Sequence, residues 1–366
     1  MMIKQLFFTS RLDYKSGWGT LTINYINELE RENIVVFCNK KNSNFNYQQY
    51  EILRKPLDYI KNPLLIFIDY FKIKQILLKY KDYKIYSHFP VEPYCLFLPF
   101  LSNYFFSSIY YAIGTYSLEL NQSFKTKFLF NLAKKKFKSV IFFSSFTKDN
   151  IEKKIKFNNT KFKKIINPTI ISKKSKKEKK FKKRTIICVG EIKPRKGYHN
   201  LINVLVKLNK FYKKNFNLIL IGKSDNVNYQ NRLNLIVKKN KQTKNVKFLT
   251  NVSEDKLKVY YKKSHLFTML SKKIGNHFEG FGIVYLEALN FGLPILISKE
   301  SGARDLINIK RDVKILNPDN VDKISKEIIK ITNNTKLMSF NYNFNILKDH
   351  NYINNLKLKK FYKTLR

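Results

Sequence analysis

Cysteine, glycine, proline and acidic side chains are all scarce in this chain of 366 residues. The 11 glycines and 9 prolines are too few for a collagen-like or linker-like protein. Cys38, Cys95 and Cys188 are odd in number and far apart, which argues against a disulfide framework and favours a reducing cytoplasm. Disorder is excluded, because 44% of the residues are hydrophobic. The length predicts two domains, at roughly 100–200 residues each.

The shortage of acids leaves a formal net charge of +45, from 71 Lys and Arg against 26 Asp and Glu. Such a charge is typical of proteins that bind nucleic acid, anionic membranes or anionic ligands. A bias toward AT-rich codons is the alternative explanation, since Lys, Asn, Ile, Phe and Tyr are all abundant. No basic helix, RNP-like aromatic strand or zinc-finger spacing occurs, so nucleic acid is not an expected partner. We expect instead peripheral binding to an anionic membrane surface, released by salt.

One uncharged stretch is long enough to span a membrane. Residues 93–118 carry no charge, and a bilayer needs about 20 apolar residues. Pro99 and Gly114 divide the stretch, which therefore predicts a short helix over 94–101 and a buried strand over 107–113. The first residues lack the small-residue cleavage site of a secretory signal. The expected location is the cytoplasm, with peripheral association at the cytoplasmic face of the membrane.

Apolar runs of strand length alternate with helical patterns along the chain. The pattern begins twice, once in each half, as strand, glycine-containing loop and helix. Strands are predicted over residues 3–8, 34–37, 84–87, 107–113, 140–143, 185–189, 218–221, 246–249, 265–269 and 294–297, and a helix over 62–78. The fold class is therefore α/β, with two Rossmann-like doubly wound domains facing a cleft, where such sheets bind ligands. The predicted segments are domain 1–170, basic linker 171–184, domain 185–343 and a C-terminal helix 344–366 packing back on the first domain.

The stretch HFEGFGIVYLEALNFG, residues 277–292, carries the strongest chemical signal. Glu279 precedes a Gly-Phe-Gly loop, and Glu287 lies eight residues later, in a helix predicted to begin near Gly282. Glycine N–H groups at the positive end of a helix suit phosphate or sugar oxygens. A carboxylate before the loop can accept hydrogen bonds from a polyol, and one in the helix can bind a ribose diol. Two solvent-facing glutamates around an ordinary turn are the alternative.

A second candidate site is VGEIKPRKG, residues 189–197, after the first strand of the second half. Arg195 and Lys196 lie in its strand-to-helix loop, where they could neutralise a diphosphate. In a chain this rich in lysine, the pair alone is a weak signal. His88, at the predicted end of a strand and facing the predicted cleft, is the candidate acceptor contact, with an ordinary strand-end histidine as the alternative. The other histidines lack metal-ligand spacing, so no metal site is predicted.

Together these segments resemble the nucleotide-sugar glycosyltransferases of family 4, which have two Rossmann-like domains, the GT-B fold. The resemblance covers most of residues 185–307, through VGEIKPRKG, LILIGKSD, VKFLTNVSEDKL, EGFGIVYLEALNFGLPILIS and SGARDLI. In the first half it rests on SGWGT, AIGTYS, IFFSSFTKDNI and INPTI. It implies that residues 1–170 form an acceptor-side domain and residues 185–343 a domain that binds the nucleotide sugar.

The resemblance also implies roles for the motif residues. Glu279 would contact the transferred sugar and Glu287 the nucleotide ribose. Arg195 and Lys196 would neutralise the leaving diphosphate. Backbone donors to the donor sugar or its phosphates are implied at Gly280, Phe281, Gly282, Gly17 and Gly19. Fixed cations make a metal cofactor unnecessary, and the sequence contains no acidic DxD-type metal motif.

The function expected from the resemblance is retaining transfer of a hexose-type sugar. The donor would be a UDP- or GDP-linked sugar and the acceptor a polysaccharide or glycolipid. Two departures from the family pattern leave alternatives open: Glu191 stands where many members have arginine, and Ile113 precedes Gly114 where a histidine is often found. The alternatives are another GT-B sugar-nucleotide enzyme, an epimerase or a phosphorylase-like protein, and an inactive membrane-associated scaffold.

Overall fold

The structure, a computed structural model, describes residues 2–13, 17–27, 29, 33–170, 178–308 and 313–365. The chain divides into two compact units. The first consists of Met1–Ile170 with Asn354–Arg366, and the second of Ile171–Ile353. Each unit is an α/β domain built on one parallel sheet, which confirms the predicted fold class.

In the first unit, neighbouring strands pair in parallel throughout the described residues. Its strands are β1 (Ile3–Thr9), β2 (Ile34–Cys38), β3 (Gln48–Glu51), β4 (Lys84–Phe89), β5 (Ser107–Ala112), β6 (Ser139–Phe142) and β7 (Phe162–Ile165). Its helices are α1 (Gly17–Ile26), α2 (Pro56–Lys61), α3 (Leu65–Leu77), α4 (Leu98–Leu101), α5 (Thr115–Gln122), α6 (Phe124–Lys134) and α7 (Ser145–Glu152). The strand order is β3-β2-β1-β4-β5-β6-β7.

The second unit repeats this architecture with a shorter sheet. Its strands are β8 (Arg184–Val189), β9 (Phe216–Ile221), β10 (Val246–Leu249), β11 (Leu266–Met269), β12 (Ile295–Ser298) and β13 (Lys314–Leu316). Its helices are α8 (Tyr198–Val206), α9 (Val227–Lys239), α10 (Glu254–Lys263), α11 (Val284–Asn290), α12 (Val321–Asn333) and the first part of α13 (Phe340–Leu365). The strand order is β10-β9-β8-β11-β12-β13, again all parallel.

The central strands are buried along most of their length, because strands inside a parallel sheet of an α/β domain are covered on both faces. This continuous burial made the predicted strands readable, and all of them are present. The sequence missed β3, β7 and β13, which lie at sheet edges and are short. Edge strands carry more polar side chains, as in the sequences of β3 and β7. The helices α7, α9, α10 and α12 begin after residues whose side chains accept a backbone N–H three residues on: Ser144, Asn226, Ser253 and Asn320.

The uncharged stretch 93–118 forms a helical turn, α4, the buried strand β5 and the start of α5, as predicted in outline. Among the described residues, none of the helices has the length and apolarity that crossing a membrane requires. Of the predicted linker 171–184, residues 171–177 lie outside the described part of the chain. The remainder is less solvated than expected, since Lys180 Nζ donates to the Ser264 carbonyl over 2.6 Å, and burial lowers the pKa of Lys180 to about 8.

The C-terminal helix α13 begins at Phe340, four residues before its predicted start. Its last part, from Asn354, belongs to the first unit. There the Asn354 side chain accepts from the Asn167 N–H at 3.2 Å, and the hydroxyls of Tyr362 and Tyr111 lie 3.2 Å apart.

Glu92 is a buried carboxylate that holds the loop between β5 and α5. Its Oε1 accepts from the N–H groups of Ile113, Gly114 and Ser117 at 3.1–3.2 Å, and from the Ser117 hydroxyl at 2.5 Å. Burial raises the pKa of Glu92 to about 7, against the effect of these four hydrogen bonds. Glu92 is therefore the structural anchor of the loop that carries Ile113 and Gly114.

This raised pKa predicts a pH-dependent stability. The unfolded chain releases the Glu92 proton near its ordinary pKa of 4.5, and the folded chain near 7. The free energy of unfolding should thus fall as the pH rises through this interval, by about 3 kcal/mol for this group. Glu92→Gln keeps an acceptor oxygen but cannot ionise, so denaturant unfolding between pH 4 and 8 should show a shallower slope. Glu152→Gln, on the surface of α7, is the matched control; an equal slope in both variants would contradict the assignment.

Candidate active site

The strand order of the second unit reverses between β8 and β11. In doubly wound sheets, ligands bind beyond the carboxyl ends of the strands at such a reversal, because the two flanking loops turn away from each other there. The loop that follows β8 carries Arg195 and Lys196, and the loop that follows β11 carries Glu279. Both predicted motifs therefore start at the same edge of the sheet, on neighbouring strands.

The loop after β8 is held in place by close backbone contacts. The Tyr198 hydroxyl donates to the Gly190 carbonyl at 2.5 Å, and the N–H of Lys272, in the loop after β11, donates to the Arg195 carbonyl at 2.7 Å. A tight turn over Pro194–Lys196 ends at Gly197, whose φ of 71° lies in the left-handed region. This turn presents two consecutive basic side chains from a rigid backbone.

Glu279 receives both of these cations on one oxygen. Arg195 Nη1 lies 2.9 Å from Glu279 Oε2, and Lys196 Nζ contacts the same atom. The side chains of Glu279 and Lys196 are only 12% and 11% exposed. Burial by itself would raise the pKa of Glu279, but Lys196 and Arg195 outweigh it and hold the pKa below its usual value. The site therefore contains an ionised carboxylate with two cations in a water-poor setting.

The loop between β11 and α11 is fixed to the loop after β12. The Gly302 N–H donates to the Glu279 carbonyl at 3.2 Å, and the Ser301 hydroxyl donates to the Phe281 carbonyl at 3.2 Å. Gly282 has a φ of 85°, and α11 begins two residues later, close to the predicted start. Gly280 lies half-buried in this loop.

Phe281 contributes its backbone to the loop, while its ring is buried 5.7 Å from the ring of His350. Glu287 lies in α11, as predicted, and Oε2 accepts from the Tyr261 hydroxyl at 3.0 Å. Burial raises the pKa of Glu287, and the hydrogen bond from Tyr261 partly offsets that rise. Tyr261 was not predicted from the sequence, because a tyrosine in a polar helix is unremarkable in a chain with 23 tyrosines.

Gly17 and Gly19 belong to the first unit, where they form the first turn of α1 and not the loop that the sequence predicted. Glycine was interpreted as a loop residue, yet its cost within a helix is only about 1 kcal/mol relative to alanine, which does not exclude it from α1. Residues 14–16, including Ser16 of the predicted loop, lie outside the described residues. The contact of Gly17 and Gly19 with donor phosphates stays a prediction.

The prediction that His88 faces an open cleft is wrong. Its side chain is fully buried, with Nδ1 2.8 Å from the Tyr111 hydroxyl and Nε2 2.7 Å from Gln5 Oε1. The ring stacks on Phe7 at 4.2 Å. Burial lowers the pKa of His88 to about 3, so the imidazole is neutral. Its strand β4 lies between β1 and β5, which makes His88 a core residue and removes it from the acceptor site.

Part of the chain is similar to known glycosyltransferases. Residues 170–343 match the family model of glycosyl transferases group 1. A Haemophilus influenzae protein named an uncharacterized glycosyltransferase is 26% identical over 183 residues, which are 50% of this chain and 48% of that one. A GDP-mannose-dependent alpha-(1-6)-phosphatidylinositol monomannoside mannosyltransferase of Mycobacterium tuberculosis is 22% identical over 149 residues, 40% of this chain and 38% of its own. The chain thus spans less than half the length of the curated relatives it matches.

The fold has a close counterpart among solved structures. HepE from Anabaena, crystallised in complex with UDP, matches with a TM-score of 0.72 at 16% identity, over 99% of this chain and 100% of that one. HepE has also been crystallised with UDP-glucose. At this identity the likeness establishes the fold alone, which is the GT-B fold, with two parallel-sheet domains, that the sequence predicted. Residues 170–343 are thus similar to the glycosyl transferases group 1, and the chain as a whole shares its fold with HepE.

Proposed function

We propose that the protein is a retaining glycosyltransferase that moves a hexose-type sugar from a nucleotide-diphosphate donor to a polysaccharide or glycolipid acceptor. The observation that carries this proposal is the meeting of Arg195 and Lys196 at the buried carboxylate of Glu279, at the strand-order reversal of the family domain. Two adjacent cations at such a position suit a diphosphate. The location we propose is the cytoplasm, at the inner face of the membrane, where a lipid-linked acceptor is accessible.

Cleavage of the sugar–phosphate bond transfers negative charge to the leaving diphosphate. Arg195 and Lys196 would stabilise that charge, and because they are already oriented by Glu279 they need little reorganisation. When diphosphate oxygens take over the two cations, Glu279 becomes free to accept hydrogen bonds from the hydroxyls of the sugar. Glu287, held by Tyr261, would bind the ribose diol, and the backbone of Gly280, Phe281 and Gly282 would donate to the sugar or phosphates. We propose that these cations make a bound metal unnecessary.

The donor is proposed to be UDP- or GDP-linked. Both bases occur among the similar proteins, since HepE is crystallised with UDP-glucose and the mycobacterial relative is named as GDP-mannose-dependent. A thermal-shift comparison of UDP-glucose, GDP-mannose and the free diphosphates distinguishes a UDP-linked from a GDP-linked donor. A donor present at a hundred times its Kd adds about 2.7 kcal/mol to the free energy of unfolding, which gives a clear rise in Tm.

Glu287→Ala should abolish that rise in Tm, because the ribose loses its carboxylate partner. Glu254→Ala, an exposed glutamate at the start of α10, should leave the shift unchanged. Transfer is then followed with a lipid-linked acceptor in the presence of EDTA, and the anomeric configuration of the product is read by NMR. A product of inverted configuration would disprove retention. Consumption of the donor only when acceptor is present would distinguish a transferase from an epimerase. A chain that binds no sugar nucleotide at all is the outcome expected of an inactive scaffold.

A further inference from the structure

Helix α3 of the first unit is apolar on two opposite faces. Its inner face is buried through Ile66, Ile73 and Leu77. The outer face, with its flanking residues, exposes large apolar side chains to 46–67%: Leu64, Phe67, Ile68, Phe71 and Leu78. A helix that is hydrophobic all round is normally enclosed by protein or lipid. The outer face of α3 is therefore a surface built for contact.

Helix α6 adds two more exposed aromatic side chains. Phe124 is 99% exposed and Phe128 70%, one helical turn apart. Lys125 Nζ lies 3.1 Å from the carbonyl oxygen of Lys61, so the start of α6 lies beside the end of α2. Lys61 is three residues before Leu64, which places the start of α6 near the start of α3. We call the set Leu64, Phe67, Ile68, Phe71, Phe124 and Phe128 the apolar surface.

Further contacts connect the two helices that carry the apolar surface. The ring of Phe67 lies 4.9 Å from the ring of Phe100 in α4. Helix α4 in turn packs against α6. The outer side of α3 and the start of α6 therefore flank one region of the first unit.

The exposed charge on the two helices of the apolar surface has a single sign. The acidic side chain of α3, Asp69, is buried and bound by Arg54 at 2.8 Å and by the Tyr59 hydroxyl at 2.9 Å. The sequence of α6 contains no acid. Exposed lysines lie on α3 and α6, at Lys72, Lys125 and Lys127, and next to α3 in the chain, at Lys61 and Lys79. Every exposed charge on α3 and α6 themselves is therefore positive, whereas the exposed Asp82 lies beyond the end of α3.

We propose that the apolar surface docks on a lipid bilayer with anionic headgroups. Leucine, isoleucine and phenylalanine side chains would enter the boundary between headgroups and acyl chains, and the lysines would contact anionic phosphates. Exposed aromatic rings next to exposed lysines fit the boundary between the headgroups and acyl chains of an anionic bilayer. Only the purpose of this docking rests on the proposed function: it would bring the enzyme to a lipid-linked acceptor.

Co-sedimentation of the full chain with vesicles tests the docking without any donor. Vesicles of 70% phosphatidylcholine and 30% phosphatidylglycerol should bind the protein at low salt, and pure phosphatidylcholine vesicles far less. The double variant Phe71→Ser/Phe124→Ser should weaken binding about tenfold or more, because two exposed rings no longer enter the bilayer. Phe211→Ser is the matched control, since Phe211 is 68% exposed beside Lys207 in the second unit and should keep wild-type binding.

Equal binding by the wild type and the double variant would overturn the proposal and assign lipid binding to general charge. Absence of binding at low salt would overturn it as well. A concentration-dependent dimer that the double variant abolishes would assign the surface to a second copy of the chain. The Tm rise produced by the donor should be the same in wild type and variant, so a failure of docking is distinguishable from a failure of the proposed transferase function.

Discussion

Lys196→Ala is expected to lower the turnover of sugar transfer by about 100- to 1,000-fold. Its Nζ contacts Glu279 Oε2 in a site where the lysine side chain is 11% exposed and that of Arg195 24%. A cation in the less hydrated position acts through a lower effective dielectric constant, so its loss should cost more than the loss of Arg195. Steady-state release of nucleoside diphosphate in wild type, Lys196→Ala and Arg195→Ala measures this order directly.

Lys196→Ala also leaves the buried Glu279 with a single cation, so its pKa should rise and the free energy of unfolding should fall. Circular dichroism and Tm therefore accompany the assay, to show that the second unit is folded at the assay temperature. Lys207→Ala removes a surface lysine that pairs with Asp322 at 2.8 Å, and its turnover should match the wild type. A folded Lys196→Ala variant with wild-type turnover would refute the role of Lys196 in transfer.

Gly197→Ala is expected to reduce the free energy of unfolding of the second unit by about 3 kcal/mol. The φ of Gly197 is 71°, and a Cβ at this position would stand 1.9 Å from the carbonyl oxygen of Leu270. That oxygen belongs to the backbone and cannot move aside without shifting the end of β11. Because Lys196 directly precedes Gly197, the strain also displaces the cationic pair, and turnover should fall together with stability.

Gly275→Ala is the control for this prediction, since it separates backbone conformation from steric clash. Gly275 has a φ of 59°, but no atom lies within 4 Å of the position of its Cβ. Alanine there should cost only the left-handed conformation, about 1 kcal/mol. Urea unfolding compares the loss in free energy of unfolding between the two variants. Equal midpoints for Gly197→Ala and Gly275→Ala would mean that the backbone near Leu270 moves aside without loss of stability, which would contradict the prediction.

The architecture could be predicted from the sequence wherever a buried strand shows as an apolar run in its own residues. Strands such as β5 and β8 are buried almost throughout and rich in apolar residues because they lie inside a parallel sheet, and both were predicted. The strand β3, with the sequence QQYE, depends on pairing with β2 through residues distant in the chain. No local pattern marks such a strand, because its stability comes from the neighbour and not from its own side chains.

The resemblance named the site residues, whereas their geometry required the sheet topology. Arg195 and Glu279 are 84 residues apart, and they meet because β8 and β11 are neighbours in the sheet. The error at His88 has the same origin. A histidine at a strand end suggests an exposed position, but β4 lies in the middle of its sheet, where helices and neighbouring strands enclose the side chain.

The helix α13 has a consequence for synthesis of the protein on the ribosome. The first unit is completed by Asn354–Arg366, which are translated after the whole of the second unit. Until they emerge, the buried Tyr111 hydroxyl lacks Tyr362, and the Asn167 N–H lacks the side chain of Asn354. The first unit, although translated first, therefore cannot reach its final form until the end of α13 has been made.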